Sequence, residues 1–480
     1  MSRIEVPRPP SRRRTVSLIL LALLVLVAAG ALAILLQRDI IRLPHRPPRV
    51  TGYSPADGAQ DVSTGAAIRI TFSQPMGHAG TEARFQIDPP IDGRFAWTEE
   101  TLTYDPTGAL VPGSTYTVTL DAGAPSQYGR GTLAGSTWRF YVGQPQLLYM
   151  ARDEAGHFQL YLAGDPPAQL SAGEADVWGY AVHPEGTSVV YSVDRGDGGD
   201  KDVAADEGTD LWLVDRAGKE RRLLLRCPDA SCTAPAWSSD GTWIAYERQD
   251  LSASMIGVRA GPVVPEIWLL DPANGKTRPL YEEAPTPGRT PLWSPTGQRL
   301  AFYDLTEMAI QIVDLESGEQ QLFDSLGGVG SWDPQGERMI LPEVSFHNQP
   351  GTGELLVVDF ATRKVATLDV PGTSEETVPR WAPDGAWIAY GRAQLADGTS
   401  TAGTQLWIMR PDGTDAHPLV TDAAANLGAY AWRPDGGAIA YVRLRVEEMM
   451  DPHPALWVVT LPDGETQQVA SEAILPGWLP

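Results

Sequence analysis

The sequence is poor in cysteine and, beyond its first 49 residues, in positive charge. Two cysteines in 480 residues exclude a disulfide-dense scaffold. Residues 1–49 hold nine arginines and two acids, which leaves 28 of the 37 basic and 58 of the 60 acidic residues for the remainder, a net charge of −30. A body of this charge repels phosphate backbones, so we expect no nucleic-acid partner.

The sequence also lacks the short motifs that mark common catalytic sites. It contains no G-x-S-x-G elbow, no H-E-x-x-H pair and no phosphate-binding G-x-x-x-x-G-K-[ST] loop. Its histidines are scattered rather than clustered: His45, His78, His157, His183, His347, His417 and His453. We therefore expect that the protein is not an enzyme, and we assign no catalytic, cofactor-binding or metal-binding residue.

What the chain does contain is one long apolar run, Thr15 to Leu36, with 22 residues and no charge. As a helix it measures about 33 Å, enough to cross a hydrocarbon core of about 30 Å. A secretory signal has a shorter apolar stretch of about 7–15 residues. We expect an uncleaved transmembrane helix over residues 15–36, although Ala31-Leu32-Ala33 keeps a cleaved signal as an alternative.

The flanks of this run indicate its orientation. Five arginines precede it and four follow within residue 49, and the cluster Arg12–Arg14 favours a cytoplasmic tail over residues 1–14. Residues 37–49 contain three prolines and are typical of a stiff linker. We expect a single-pass protein of a bacterial cell membrane whose later domains lie outside the cytoplasm.

Residues 50–143 alternate short β-prone runs with turn residues. Ile68–Phe72 alternates apolar and polar side chains, as a strand with one buried face does. The stretches VTGYSPADGAQDVSTGAAIRITFSQPM, FAWTEETLTYDPTGALVPGSTYTVTL and the final WRFYV strand resemble the bacterial Ig-like domains of S-layer and other surface proteins. The resemblance implies a β-sandwich that serves as a spacer or adhesive module.

Residues 146–480 contain an internal repeat. One phrase recurs six times: YAVHPEGTSVVY, PAWSSDGTWIAY, PLWSPTGQRLAF, GSWDPQGERMIL, PRWAPDGAWIAY and YAWRPDGGAIAY. Its third place is tryptophan in five copies and Val182 in the first. Its seventh place is always glycine, which suits the positive φ of a tight turn between strands: Gly186, Gly241, Gly297, Gly336, Gly385 and Gly436.

Strand accounting predicts the number of blades. Each phrase is followed by a short apolar run such as Leu211–Asp215, which suggests a strand buried on both faces, as in a propeller blade. Six four-strand units run from about 177 to 470, preceded by only three strands near 147–150, 158–161 and 169–170. The tail around Trp478 parallels the phrase around Trp381, so we expect it to complete the first blade and close a ring of seven.

These phrases resemble the TolB-type propeller repeat, with its W-S-P-D-G turn followed by an I-A-Y-like strand. The resemblance covers about 335 residues and implies extracytoplasmic binding or scaffolding. The predicted fold class is therefore all-β: an Ig-like sandwich followed by a seven-bladed propeller, with one N-terminal transmembrane helix.

The loops between the second and third strands are long at 192–210, 247–266, 342–354, 391–405 and 442–455. Insertions gathered on one rim predict the binding face, although neutral drift in surface loops is the alternative. The segment 194–210 carries seven acids and could hold Ca²⁺. Its spacing does not match a calcium loop, so a solvated acidic loop is favoured.

The two cysteines, Cys227 and Cys232, lie in a connector between blades. In an exported domain this spacing favours a loop disulfide, with two free thiols as the alternative. From these features we expect a binding or scaffold protein that offers the propeller loop face to an envelope protein, a peptide or a glycan. Two alternatives stay open: a propeller hydrolase or lyase acting on glycans, and the ectodomain of an envelope sensor.

Overall fold

The computed structural model describes most of the chain beyond residue 46. The described residues are 47–127, 133–171, 173, 175–195, 208–228, 230–251, 264–281, 287–325, 328–345, 352–368, 374–396, 399–400, 403–448 and 450–480. The predicted tail 1–14, the predicted transmembrane helix 15–36 and most of the linker 37–49 lie outside them. Within the described ranges no helix has the length and hydropathy to cross a bilayer.

The first part of the chain forms a β-sandwich. One sheet has the order β1-β3-β6-β5 and the other β2-β8-β7-β4, with only the β2–β8 pair parallel. The strands are β1 (Val50–Ser54), β2 (Ala59–Val62), β3 (Ile68–Phe72), β4 (Phe85–Asp88), β5 (Gly93–Thr98), β6 (Thr101–Pro106), β7 (Thr115–Leu120) and β8 (Ser136–Val142); a short helix, α1 (His78–Glu82), precedes β4.

Alternating side chains build the core of this sandwich, as the sequence predicts. In β3, Ile68, Ile70 and Phe72 are buried while Arg69 and Thr71 point away from the core. Trp138 of β8 is also fully buried. These residues belong to a single hydrophobic cluster drawn from both sheets, which gives this domain a core of its own.

The rest of the chain folds into seven sheets, each of four main antiparallel strands, numbered here sheets 1 to 7. Sheet 1 has β9 (Gln146–Arg152), β10 (Phe158–Leu162), β11 (Ala168–Gln169) and β37 (Ala473–Leu479); sheet 2 has β12 (Val177–Val182), β13 (Ser188–Asp194), β14 (Thr209–Asp215) and β15 (Arg221–Leu225); sheet 3 has β16 (Ala230–Trp237), β17 (Ile244–Asp250), β18 (Glu266–Asp271) and β19 (Lys276–Pro279); sheet 4 has β20 (Gly288–Trp293), β21 (Arg299–Asp304), β22 (Ala309–Asp314) and β23 (Gln320–Asp324).

Sheets 5 to 7 repeat the same pattern. Sheet 5 has β24 (Ser331–Trp332), β25 (Arg338–Ser345), β26 (Thr352–Asp359) and β27 (Lys364–Thr367); sheet 6 has β28 (Ser374–Trp381), β29 (Ile388–Ala396), β31 (Gln405–Met409) and β32 (His417–Val420), with β30 (Thr399–Ser400) paired to the end of β29; sheet 7 has β33 (Ala425–Trp432), β34 (Ala438–Arg445), β35 (Ala455–Thr460) and β36 (Thr466–Ser471), with a 3-10 turn at Val446–Glu448.

The C-terminal strand is an edge strand of sheet 1, next to β9. β37 pairs antiparallel with β9, with Trp478 opposite Leu147 and Ile474 opposite Met150. The sequence predicts this pairing, because only three strands precede the second unit. Sheet 1 is therefore assembled from both ends of the propeller-like region.

Apolar clusters lie between consecutive sheets. Leu148 and Leu479 of sheet 1 share a cluster with Val189 and Tyr191 of sheet 2, and five further clusters join sheets 2 to 7 in order. The seventh combines Leu147, Tyr149 and Ala473 of sheet 1 with Ala440 and Leu456 of sheet 7. Each sheet is thus buried on both faces, which explains the short apolar runs without alternation.

Glycine ends the first-to-second turn of sheets 2 to 7, as predicted. Gly186, Gly241, Gly297, Gly336, Gly385 and Gly436 all have φ between 65° and 73°, a region that residues with a Cβ rarely adopt. Each glycine N–H donates to the carbonyl three residues earlier, for example Gly241 to Ser238 at 2.9 Å. These turns place all six phrases at one end of their sheets.

Candidate binding face

The strand order defines two faces of the propeller-like region. The short-turn face holds the first-to-second turns (183–187, 238–243, 294–298, 333–337, 382–387 and 433–437) and the third-to-fourth turns. The long-loop face, at the opposite ends of the strands, holds the connections between second and third strands and those between sheets. Antiparallel pairing within each sheet dictates this division.

The sandwich contacts the short-turn face. Arg69 of β3 forms an ion pair with Glu185 in the first turn of sheet 2, and Gly65 lies against the Pro184 carbonyl. A pocket of about 190 Å³ separates these surfaces, with Asp61 on one side and Arg216 on the other. Residues 143–145, which connect the sandwich to sheet 1, also lie here, because β9 begins at this end of sheet 1. The sandwich therefore leaves the long-loop face uncovered.

Arg216 ties the sandwich contact to the C-terminal strand. Its Nη1 donates to the Pro480 carbonyl at 2.6 Å and lies 3.5 Å from the Gly186 carbonyl. Burial lowers the pKa of Arg216, and the nearby Asp61 of the sandwich partly offsets that effect. One guanidinium thus joins three segments that are distant in sequence.

Exposed large apolar side chains of residues 146–480 avoid the short-turn face. Five of the nine found among the described residues lie on the long-loop face or beside it at the inner strand ends: Trp178, Val264, Met308, Met450 and Leu475. The other four lie on the outermost strands of four sheets: Leu223, Leu322, Val365 and Val469. Contiguous exposed apolar patches mark interaction surfaces, and of these five residues Trp178 and Leu475 line one pocket.

The long insertions of this face are partly strands, which corrects the prediction of loops over their whole length. β25 and β26 stay paired out to Ser345 and Thr352, and β34 continues to Arg445 before a 3-10 turn. The segments 196–207, 252–263 and 346–351 lie outside the described residues. Most of the acidic segment 194–210, considered above as a Ca²⁺ site, falls within residues 196–207.

A β-bulge interrupts an edge strand of five sheets near the long-loop face. The residue three places before the repeated tryptophan has φ between 46° and 51° in each, and the register shifts there: Ala234, Thr290, Val378, Ala429 and Leu475. A left-handed φ is costly for β-branched Thr290 and Val378. The bulge exposes backbone amides, and that of Thr290 donates to Glu247 at 2.7 Å.

Glu247 lies on β17, in the sheet that precedes the bulge of Thr290. Burial raises the pKa of this carboxyl, while the Thr290 N–H and Arg289 act in the opposite direction. Within the described ranges, however, no group of three His, Cys, Asp or Glu side chains has the arrangement of a metal site.

The repeated tryptophans link one sheet to the next. Four of the six indole N–H groups donate to the carbonyl of the residue that precedes the matching tryptophan of the previous sheet: Trp293 to Ala236 at 3.0 Å, Trp332 to Leu292 at 3.3 Å, Trp432 to Arg380 at 3.0 Å and Trp478 to Ala431 at 3.0 Å. The indole nitrogens of Trp237 and Trp381 are buried without a partner among the described residues. The tryptophan of the phrase is therefore a bridging residue as well as a core residue.

The junction between sheets 1 and 2 lacks this bridge, because Val182 replaces the tryptophan. Tyr180 takes its place, and its hydroxyl donates to the Leu475 carbonyl at 2.7 Å. Gly477 makes room for this ring, since a Cβ there would lie 2.6 Å from the Tyr180 hydroxyl oxygen. The substitution of Val182 thus changes how the two sheets meet.

A pocket of about 560 Å³ lies between β37, β12 and β16, which belong to sheets 1, 2 and 3. It is lined by Trp178, Gly179, Tyr180, Ala181, Val182, Thr233, Ala234, Leu475, Pro476 and Gly477. The lining is mainly apolar and contains no carboxylate or imidazole. Its volume is in the range of small-ligand pockets, about 300–1,000 Å³.

Trp178 stands at the long-loop end of the pocket and is 58% exposed. Its Nε1 donates to Asp194 Oδ1 at 2.8 Å, which orients the ring. Burial and the neighbouring Asp176 raise the pKa of Asp194, and the indole N–H opposes them. Asp176 accepts the Phe158 N–H at 2.7 Å and lies 3.9 Å from His157 Nδ1. Asp194 thus contacts the indole, and Asp176 lies near Asp194.

The cysteine pair lies next to the strand residues that line one side of this pocket, because Cys232 directly precedes Thr233 in β16. Cys227 and Cys232 form a disulfide at the start of sheet 3. Both are fully buried, and the Cys227 N–H donates to Asp210 at 2.9 Å. Asp210 in turn pairs with Arg195 at 3.1 Å. The bond therefore holds a buried connector between sheets 2 and 3, next to the base of the acidic segment.

Loop lengths predict the long-loop face as the binding face, but they do not predict the pocket. The only sequence signal for it was Val182 in place of tryptophan, which reads simply as a weaker copy of the phrase. Of the histidines, His183 packs against Trp237 with ring centroids 4.8 Å apart. The Nδ1 atom of His453 is hydrogen-bonded to Glu472 Oε1 at 2.7 Å. His45 and His347 lie outside the described residues.

Comparison with known proteins identifies the domain family of the sandwich. Residues 44–142 match the bacterial Ig-like domain family. No curated protein matches the chain. Among solved structures, a TolB protein from Agrobacterium tumefaciens is similar at 13% identity, with a TM-score of 0.36, over 68% of this chain and 89% of its own.

Two peptidase structures overlap a larger part of the chain. A puromycin-hydrolysing peptidase from Mycobacterium tuberculosis is similar at 14% identity and a TM-score of 0.49, over 86% of this chain and 57% of its own. A prolyl endopeptidase is similar at 13% identity and a TM-score of 0.50, over 84% and 53% respectively. This chain thus spans little more than half the length of either peptidase, and the likeness indicates a propeller fold rather than an activity.

Proposed function

We propose that the chain is a membrane-anchored, extracytoplasmic binding protein of the bacterial envelope. In this proposal the seven sheets are the blades of a closed propeller, the sandwich is a spacer docked on the short-turn face, and residues 15–36 are the anchor. The long-loop face then binds a protein, peptide or glycan partner. The anchor and the location rest on the apolar run and its arginine flanks.

The observation that carries the proposal is the unequal exposure of the two faces. Large apolar side chains are exposed on the long-loop side, whereas the short-turn face has none among its described residues and contacts the sandwich. A spacer on one face and an apolar, pocketed surface on the other fit a protein that presents a surface to a partner. Closure of the ring is supported by the cluster shared by sheets 1 and 7.

Site-specific photo-crosslinking in native membranes tests the proposal. A photoreactive amino acid replaces Met308 or Met450, which are 51% and 98% exposed on the long-loop face. Matched controls carry it at Leu322, which is 51% exposed on an outer strand, and at Thr362 in a turn of the short-turn face.

We expect the same crosslinked species from both long-loop positions and from neither control. Crosslinks that form equally at the controls, or at no position in the full-length protein, contradict the proposed binding face.

A further inference from the structure

The pocket lies between β37, β12 and β16 of sheets 1 to 3, beside the one copy of the phrase that has no tryptophan. Four of the other junctions are bridged by an indole that donates to a backbone carbonyl of the previous sheet. Here Val182 contributes a much smaller side chain, and the Tyr180 hydroxyl donates to the Leu475 carbonyl.

The indole at the pocket mouth is the only one among the described residues that is exposed. Five tryptophans among the described residues carry an arginine guanidinium over the ring, at 3.7–5.4 Å from its centroid: Trp243, Trp268, Trp381, Trp387 and Trp407. Within the same described ranges, Trp178 carries none. Its surroundings are acidic instead, with Asp194 bonded to its N–H and Asp176 adjacent.

Charge and shape together select the occupant. The face of an indole attracts cations, and a guanidinium stacks on it and pairs with carboxylates through planar donors. An arginine side chain also has an apolar stem that can lie along Tyr180, Val182 and Pro476 while its head stays at the mouth. The chain beyond residue 49 carries a net charge of −30, which attracts basic partners over longer range.

We propose that this pocket binds an arginine side chain of a basic peptide segment, with the guanidinium stacked on Trp178 and close to Asp194 and Asp176. The inference rests on the proposed function and names the chemistry of the partner at that face. It excludes acidic glycans as occupants, because their carboxylates would face Asp176 and Asp194. A neutral glycan or an apolar peptide is an outcome that the test distinguishes.

The test is a titration of the full-length protein with the capped tripeptide Gly-Arg-Gly, followed through the indole N–H resonance of Trp178. The reference probe is Gly-citrulline-Gly, which has nearly the same shape and no charge. We expect saturable binding with a Kd of about 0.1–1 mM, the range open to one small side chain. The citrulline peptide should bind at least about tenfold more weakly, and salt should weaken the arginine peptide.

Two variants with the same change of net charge separate the site from general attraction. Asp194→Asn keeps an oxygen for the Trp178 N–H but removes the charge, and Asp463→Asn removes an exposed charge on the short-turn face. We expect several-fold weaker binding for the first and no change for the second. Trp178→Ala, at an exposed position, should fold normally and bind several-fold more weakly; because this variant lacks the reporting indole, its binding is followed through the backbone amide resonance of Gly179.

Equal binding of both peptides, equal effects of both Asp variants, or no saturable shift overturns the inference. Crosslinks from Met308 and Met450 that persist in such a case would leave the proposed binding face intact and reject only the arginine pocket. Binding of a neutral glycan or an apolar peptide in place of the arginine peptide likewise rejects it.

Discussion

Substitution of the bridging tryptophans should separate their hydrogen bonds from their packing. Trp293 and Trp381 occupy the same place in the repeat and are 7% and 6% exposed. The Trp293 indole N–H donates to Ala236 at 3.0 Å, whereas that of Trp381 has no partner among the described residues. Trp293→Phe and Trp381→Phe therefore remove similar volume but different polar interactions.

The expected difference follows from these contacts. Trp293→Phe loses a hydrogen bond with a net contribution of about 0.5–1.5 kcal/mol, while Trp381→Phe relieves a buried unpaired donor that costs about 1–3 kcal/mol. Arg338 lies over Trp381 at 5.0 Å, and the loss of that cation–π contact, about 0.5–1 kcal/mol, reduces the gap. Trp293→Phe should thus lower the free energy of unfolding by about 1–2 kcal/mol more than Trp381→Phe does.

Urea unfolding of both variants, followed by far-ultraviolet circular dichroism, measures this difference in the free energy of unfolding. The unsubstituted protein is the reference, and equal slopes with urea establish that the same unfolding step is compared. If Trp381→Phe is as destabilising as Trp293→Phe, or more so, the bridging role of the indole N–H is refuted.

Three further predictions concern the disulfide, two histidines and the docking of the sandwich. Reduction of the Cys227–Cys232 bond should lower the free energy of unfolding by about 2 kcal/mol, because the closed loop is short; a urea midpoint unchanged by reductant contradicts this. Burial lowers the pKa of His183, so its effect on stability should appear as a loss when the pH falls below about 6.5, the unfolded value. The hydrogen bond that His453 donates to Glu472 raises the pKa of His453, so its contribution should be present below that pH and lost as the pH rises through the raised pKa; NMR titration of the two rings checks both signs, and a His183 midpoint above that of His453 refutes them. Arg69→Ala removes an ion pair between the sandwich and sheet 2. It should speed limited proteolysis at residues 143–145, which connect the sandwich to sheet 1, whereas an unchanged digestion rate would show that the pair does not hold the domains together.

The turns and the closing strand could be predicted because they depend on local chemistry and on counting. Gly186 and its five equivalents are required by a positive φ, so glycine marks each turn in the sequence. The pairing of β37 with β9 follows from three strands without a fourth at one end and one strand without partners at the other. Neither inference needs knowledge of how side chains pack between sheets.

The bulges and the pocket could not be predicted, because their signals contradict residue preferences or lie in another sheet. Thr290 and Val378 are β-branched and among the least suited residues for φ near 50°. The one available signal was the proline that follows each of them, which is unusual inside a strand. The partner of each indole is a backbone carbonyl about 40–57 residues away, which no local pattern reveals.

Hydrogen exchange of the C-terminal strand tests the central claim most directly. The account holds that β37 is an edge strand of sheet 1, next to β9, and closes a ring of seven sheets. The amides of Ile474–Leu479 should then exchange as slowly as those of β33 in sheet 7, at rates set by global rather than local opening. Exchange of this segment at the rate of an unstructured peptide, while β33 stays protected, would contradict both the closed ring and the binding face derived from it.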